Sequence, residues 1–104
     1  MEKYKILVSQ KAQQDLRALF FYIKDQLNTP LGAANIIDKI EAAFLSLETM
    51  PERHEIIKSA LFYNTEIRKF VIEKHIVFYT VDKQSKTVNI IRVLHSRRSW
   101  QSLL

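Results

Sequence analysis

The apolar residues of the chain follow a helical rhythm first and a strand-like rhythm afterwards, with the change-over near Pro51. A short apolar run at 4–8 predicts a strand, and it ends at Ser9, whose hydroxyl can accept a backbone N–H and so start a helix. Ala12, Leu16, Leu19, Phe20, Ile23 and Leu27 then recur at steps of three and four, with Lys11, Gln14, Asp15, Lys24 and Asp25 on the other side. Phe21 and Tyr22 widen this stripe. A broader core contact is the expectation for them, and an exposed aromatic patch covered by a partner is the alternative. Asn28-Thr29-Pro30 stops the helix and starts another, because Thr is a good N-cap and Pro is tolerated at the first helical position. Ala33, Ile36, Ile37, Ile40, Ala43, Phe44 and Leu47 form the apolar face of the second helix, opposite Asp38, Lys39, Glu41 and Glu48. So short a connection predicts an antiparallel helix hairpin, closed by Met50-Pro51.

Beyond Pro51 the runs 67–72, 76–81 and 87–94 are rich in Val, Ile, Thr, Phe and Tyr and are separated by hairpin-sized spacers. They predict an antiparallel meander, which the apolar faces of both helices need to cover. The first strand is expected at an edge of this sheet. Between them, 55–58 or 60–63 reads as a further short strand or an ordered loop. The tail, 96–104, has a capping Ser96 and apolar Trp100, Leu103 and Leu104, which predicts a short helical tail that folds back. The fold class is therefore α+β, with residues 1–104 expected to form a single domain.

Composition narrows the functional classes. The chain has no cysteine, which removes disulfides and thiolate metal sites, and its one glycine leaves hardly any phosphate-cradling loop. His54, His75 and His95 do not lie at helical ligand spacing, so neither a metal nor another cofactor is expected. The charged N-terminus and its three-residue apolar run are too short for a signal peptide or membrane span, so a cytoplasmic location is expected. The net charge of +5 is unevenly placed. Residues 1–52 carry six basic and seven acidic side chains, whereas residues 53–104 carry ten and four. That asymmetry points to an anionic partner, nucleic acid or an acidic protein, for the second half, with a merely solvated basic face as the alternative.

Arg68, Tyr79 and Arg92 lie on three strands that a meander makes adjacent, and His95, Arg97, Arg98 and Trp100 follow the last of them. Guanidinium groups grip phosphate bidentately and His shuttles protons near neutral pH, so such a set could bind or cleave a phosphodiester without metal. The structural alternatives are ion pairs of Arg68 and Arg92 with Glu66 or Asp82, a capping or exposed His95, and a Trp100 that anchors the tail.

The order of these residues resembles the RelE/ParE superfamily of bacterial toxin–antitoxin toxins over nearly the whole chain. The resemblance is carried by Ser9-x-x-Ala12-x-x-Asp15-Leu16, Tyr22-Ile23, Pro30 with Ala33-Ala34, Ile40, Leu47, Pro51 and Ile67-Arg68. It continues through Val77-Phe78-Tyr79-x-Val81-Asp82 and Val88-x-Ile90-Ile91-Arg92-Val93-Leu94-His95-Ser96-Arg97-Arg98-Ser99-Trp100. It implies a type II toxin, used in plasmid stabilisation or stress response, held inactive by an antitoxin whose acidic C-terminal segment wraps around it. ParE-like members are DNA gyrase inhibitors and not enzymes; RelE-like members are metal-free, ribosome-dependent mRNA endoribonucleases, or mRNA interferases. The ending Arg-Val-Leu-His-x-Arg-Arg-x-Trp is more similar to the ParE branch. No Tyr follows Tyr79, and Trp100 cannot exchange a proton. The expectation is thus a ParE-like gyrase inhibitor, with a RelE-like nuclease using Arg68, Arg92 and His95 as the alternative. The surface expected to meet target or antitoxin comprises Phe21, Tyr22, Arg68, Tyr79, Arg92, His95, Arg97, Arg98 and Trp100. A non-toxic nucleic-acid-binding module is a third possibility, though the aromatics do not follow the pattern of an RNA-recognition sheet.

Overall fold

In the computed structural model the described residues are 3–26, 28–57, 66–100 and 103–104. Strand β1 (Lys5–Val8) passes through Ser9 into helix α1 (Gln10–Phe21). The Ser9 hydroxyl accepts the Ala12 N–H at 3.0 Å and donates to the Ile91 carbonyl at 2.9 Å, so one side chain both caps the helix and ties it to the sheet. The helix then widens into a π-helical segment, Tyr22–Gln26, with i→i+5 bonding that periodicity alone does not predict. The chain reverses through Asn28, whose φ of 53° is in the left-handed region that Asn tolerates better than most residues. Pro30 opens helix α2 (Pro30–Ser46) as expected, with Thr29 at its N-cap position. The Thr29 hydroxyl does not cap, however; it turns back to donate to the Ile23 carbonyl at 3.4 Å, alongside the Thr29 N–H at 3.3 Å.

Strands β2 (Arg68–Ile72), β3 (His75–Asp82) and β4 (Thr87–His95) form the expected antiparallel meander. The full order is β1-β4-β3-β2, and β1 pairs with β4 in parallel, so the sheet is mixed. Strand direction is not written in an apolar pattern; it follows from where the helical layer returns the chain, and here an intervening helix pair makes a parallel edge available. On the opposite edge the stretch 55–57 runs along β2, with Ile56 bridging Arg68 and the Ile57 N–H bonded to the Ile67 carbonyl at 2.7 Å. The other expected short strand, 60–63, lies outside the described residues.

Both faces of the sheet are covered. Val77, Tyr79, Val88, Ile90 and Val93 pack on Ala12, Ile40, Phe44 and Leu47 of the helices. Ile76, Phe78 and Leu94 face the other way, with Ile57 and Ile67, and the tail lays Trp100, Leu103 and Leu104 over them. Two covered faces explain why β3 and β4 read as near-continuous apolar runs instead of alternating. In the tail the Leu103 N–H donates to the Trp100 carbonyl at 3.0 Å, and Trp100 stacks at a tilt on Phe78 with ring centroids 5.3 Å apart. A bulge interrupts the β3–β4 register. Tyr79 faces Ile90 but Phe78 faces Arg92, which leaves Ile91 as the extra residue.

Candidate functional site

Arg92 lies opposite Phe78, on the tail-covered face, and its guanidinium curls around the sheet to α1. Nε and Nη2 donate to the two carboxylate oxygens of Asp15 at 2.8 and 2.9 Å, and Nη1 donates to the Leu103 carbonyl at 3.1 Å. Asp15 also accepts the Val93 N–H at 3.0 Å, just where β1 has ended and β4 has no strand neighbour on that side. Both side chains are largely buried, and hydrogen bonding to Asp15 pushes the Arg92 pKa up still further. Asp15 is therefore not on the solvent side of α1, as its place in the helical pattern suggests. Its carboxylate fills the open sheet edge and joins helix, strand and tail.

Arg68 sits at the other end of the helix-covered face, opposite Tyr79. Its Nη1 donates to the carbonyls of His54 at 2.7 Å and Glu52 at 3.3 Å, and its Nη2 meets Glu52 Oε2 at 3.4 Å. Tyr79 is fully buried and its hydroxyl donates to the Pro51 carbonyl at 2.8 Å. Burial pushes the phenol pKa up, with Arg68 acting in the opposite sense. His54 stacks on Phe70 with ring centroids 4.3 Å apart, and burial together with Arg53 pushes its pKa down. These contacts pin the 51–55 segment to the sheet. Tyr79 was expected on the binding surface; it is a core residue instead, because its position on β3 points into the helix-covered face. The ion-pair partners of the two arginines are Glu52 and Asp15, not Glu66 or Asp82. Asp82 is engaged by the N–H groups of Gln84 and Ser85 in its own turn.

Arg68, Arg92 and His95 consequently do not converge. Arg68 and His95 are at opposite ends of the helix-covered face, separated along β3 by the four residues from Tyr79 to His75, about 13 Å of strand. Arg92 leaves from the other face.

What does converge is a groove between α1, the π segment, α2 and the ends of β3 and β4. It has a volume of about 420 Å³, and Leu19, Ile23 and Ile36 form its apolar lining. Tyr22, Lys74, His75, His95 and Arg97 complete the wall, and a shallower extension of about 220 Å³ runs past Arg98 toward Asp15. Phe21 and Tyr22, expected mainly as a wider core contact, are 47% and 56% exposed; Phe21 ends α1, and Tyr22 opens the π segment and lines the groove. Trp100 is on the opposite face, where Lys69 lies 5.6 Å from its ring. His75 carries no motif in the sequence that ties it to the site, yet its ring is 5.2 Å from that of His95. The closing pair Asp82–Thr87 alone would oppose His75 to Leu94. The one-residue bulge at Ile91 brings His95 there, and bulges leave no mark in composition. Among the described residues no group of three or more His, Asp or Glu side chains could hold a metal ion. No helix of the described residues is long and apolar enough to cross a membrane.

A mixed sheet with a two-helix layer on one face and a C-terminal tail on the other is the fold of RelE/ParE-type toxins. The toxin of the chromosomal ParDE system from P. aeruginosa superimposes with a TM-score of 0.72 at 18% identity, covering 89% of this chain and 96% of that one. The RelBE2 toxin–antitoxin complex from Mycobacterium tuberculosis contains a chain with a TM-score of 0.63 at 23% identity, covering 89% and 98%. A mutant of the E. coli toxin RelE in the free state gives 0.65 at 13% identity, covering 93% and 87%. No curated protein matches the sequence. The sequence model of the family described as "ParE toxin of type II toxin-antitoxin system, parDE" matches residues 6–100, and the chain belongs to that family.

Proposed function

We propose that the chain is a ParE-like toxin that acts by protein contact on DNA gyrase in the cytoplasm and is held inactive by a cognate antitoxin with an acidic C-terminal segment. The observation that carries this reading is the engagement of Arg92. Its guanidinium is spent on Asp15 and the Leu103 carbonyl, and Arg68 is likewise spent on the 52–54 backbone. A metal-free phosphodiesterase needs cations and proton carriers around one phosphate, and the register scatters Arg68, Arg92 and His95. That scatter speaks against the mRNA-endoribonuclease alternative. The family match to ParE toxins supports the gyrase reading, and the P. aeruginosa ParDE and M. tuberculosis RelBE2 structures support a partnership with an antitoxin.

The test runs two reactions with one preparation of the chain. With purified gyrase, supercoiling should stall; with programmed ribosomes, the message should remain intact. Cleavage of mRNA in the ribosomal A site, abolished by His95→Ala, would overturn the reading.

A further inference from the structure

The groove at the ends of β3 and β4 carries a polar arrangement that neither the core nor the gyrase reading uses. His75 and His95 stand directly opposite each other, rings 5.2 Å apart and nearly perpendicular at 78°. The His95 Nδ1 accepts the Arg97 backbone N–H at 3.1 Å, so in the neutral ring the proton is on Nε2, a donor. The His75 Nδ1 is buried, and among the described residues it has no hydrogen-bond partner. An orphaned buried nitrogen is costly unless something else satisfies it.

The charges around the pair are unbalanced. From the β2–β3 turn come Glu73 and Lys74, and the Glu73 carboxylate is already held by Lys39 of α2 at 2.8 Å. From α1 comes Asp15, committed to Arg92, and from the π segment comes the Tyr22 hydroxyl. The tail contributes Arg97 and Arg98. Among the described residues the side chains of Lys74, Arg97 and Arg98 form no ion pair. Glu73 and Asp15 are thus both held by cations, while Lys74, Arg97, Arg98 and two imidazoles line a groove with an apolar floor.

We propose that this groove seats an amphipathic, acidic segment of the partner protein, with a partner carboxylate placed at the His75–His95 pair, and that capture brings a proton onto the pair. The proposal rests on the reading of the chain as a toxin held by an acidic antitoxin. Burial, and then the neighbouring ring, push the His75 pKa down in the unliganded chain. Two imidazoles this close also repel each other when both are charged, and the three cations add to that repulsion. An incoming carboxylate reverses the balance. It neutralises the cations and offers an acceptor to a newly protonated ring nitrogen, giving a charge-assisted bond in a site that the apolar floor keeps partly dry. Because the bound state holds more protons than the free state, association should tighten as pH falls, by up to about tenfold per pH unit where one proton is taken up.

The experiment is calorimetric titration of the full chain with its purified cognate antitoxin, in phosphate and in Tris near neutral pH. These buffers differ in ionisation enthalpy, so the difference in observed heat counts protons. About one proton should be taken up by the wild type and close to none by His75→Gln or His95→Gln. In the wild-type chain, which needs no variant to fold, NMR of labelled histidine should show His75 titrating at higher pH in the complex than alone. A complex whose heat is the same in both buffers overturns the groove proposal and leaves the toxin reading standing, as does an uptake unchanged in both variants. Absence of any complex overturns both. A single-stranded oligonucleotide that binds with the same histidine dependence would assign the groove to nucleic acid and likewise overturn the proposal.

Discussion

Asp15 shows how a single carboxylate can look like surface and act as a joint. In the helical pattern it falls among outward-facing polar residues, and that placement is reasonable wherever a helix lies over a continuous sheet. Here β1 stops at Val8, the Val93 N–H beyond it has no strand partner, and the carboxylate occupies that gap while gripping Arg92. Asp15→Ala would leave a guanidinium and a backbone N–H without their acceptor. A loss of about 3 kcal/mol is expected, which for a domain of this size lowers the melting temperature by roughly 10 °C or more in calorimetry. His75 has a different consequence, in pH. Burial and His95 depress its pKa in the folded state below the unfolded value, so the unfolded chain binds more protons below that value and stability falls as pH drops through it. Denaturant melts of wild type and His75→Gln, taken on either side of pH 6.5, should show a smaller acid loss in the variant. An equal loss would place the sensitivity elsewhere, for example at His54, whose pKa is also lowered by burial.

At the scale of elements, the sequence was legible wherever one side chain did one job. Ser9 announced the first helix and does cap it, and Pro30 announced the second and does open it. The three strand runs fell within a residue or so of β2, β3 and β4 because β-branched and aromatic residues crowd there. Backbone irregularities were not legible. The π segment places Tyr22 and Ile23 in the groove lining, and the bulge at Ile91 pairs His75 with His95, so two features that shape the groove are ones that periodicity misses. The candidate arginines failed to converge for a related reason. Adjacency of strands brings residues near one another only when register and face also agree. The tail offers a direct check, since the chain has one tryptophan and it lies over Phe78. Arg92→Lys keeps the charge but loses the forked grip and weakens the Leu103 contact, so Trp100 emission should shift to the red at denaturant concentrations where the wild type is still native. Superimposable emission curves would show that Trp100 docking does not depend on Arg92.

For the whole molecule, the meaning of the basic C-terminal half changes once its side chains are placed. Of the ten cations in that half, Arg68 and Arg92 are structural, Lys69 and Lys83 meet Glu55 and Glu52, and Lys74, Arg97 and Arg98 gather around the groove. The excess charge is thus not spread evenly over that half: three of its cations lie together at the groove. What weighs against a phosphodiesterase is that Arg68 and Arg92 are held in contacts within the fold and do not face one shared site. The most direct measurement is DNA supercoiling by purified gyrase, titrated first with the chain and then with its purified cognate antitoxin. Supercoiling should stall on addition of the chain and recover as the second protein is added; supercoiling that continues unchanged at a large excess of the folded chain would contradict the account.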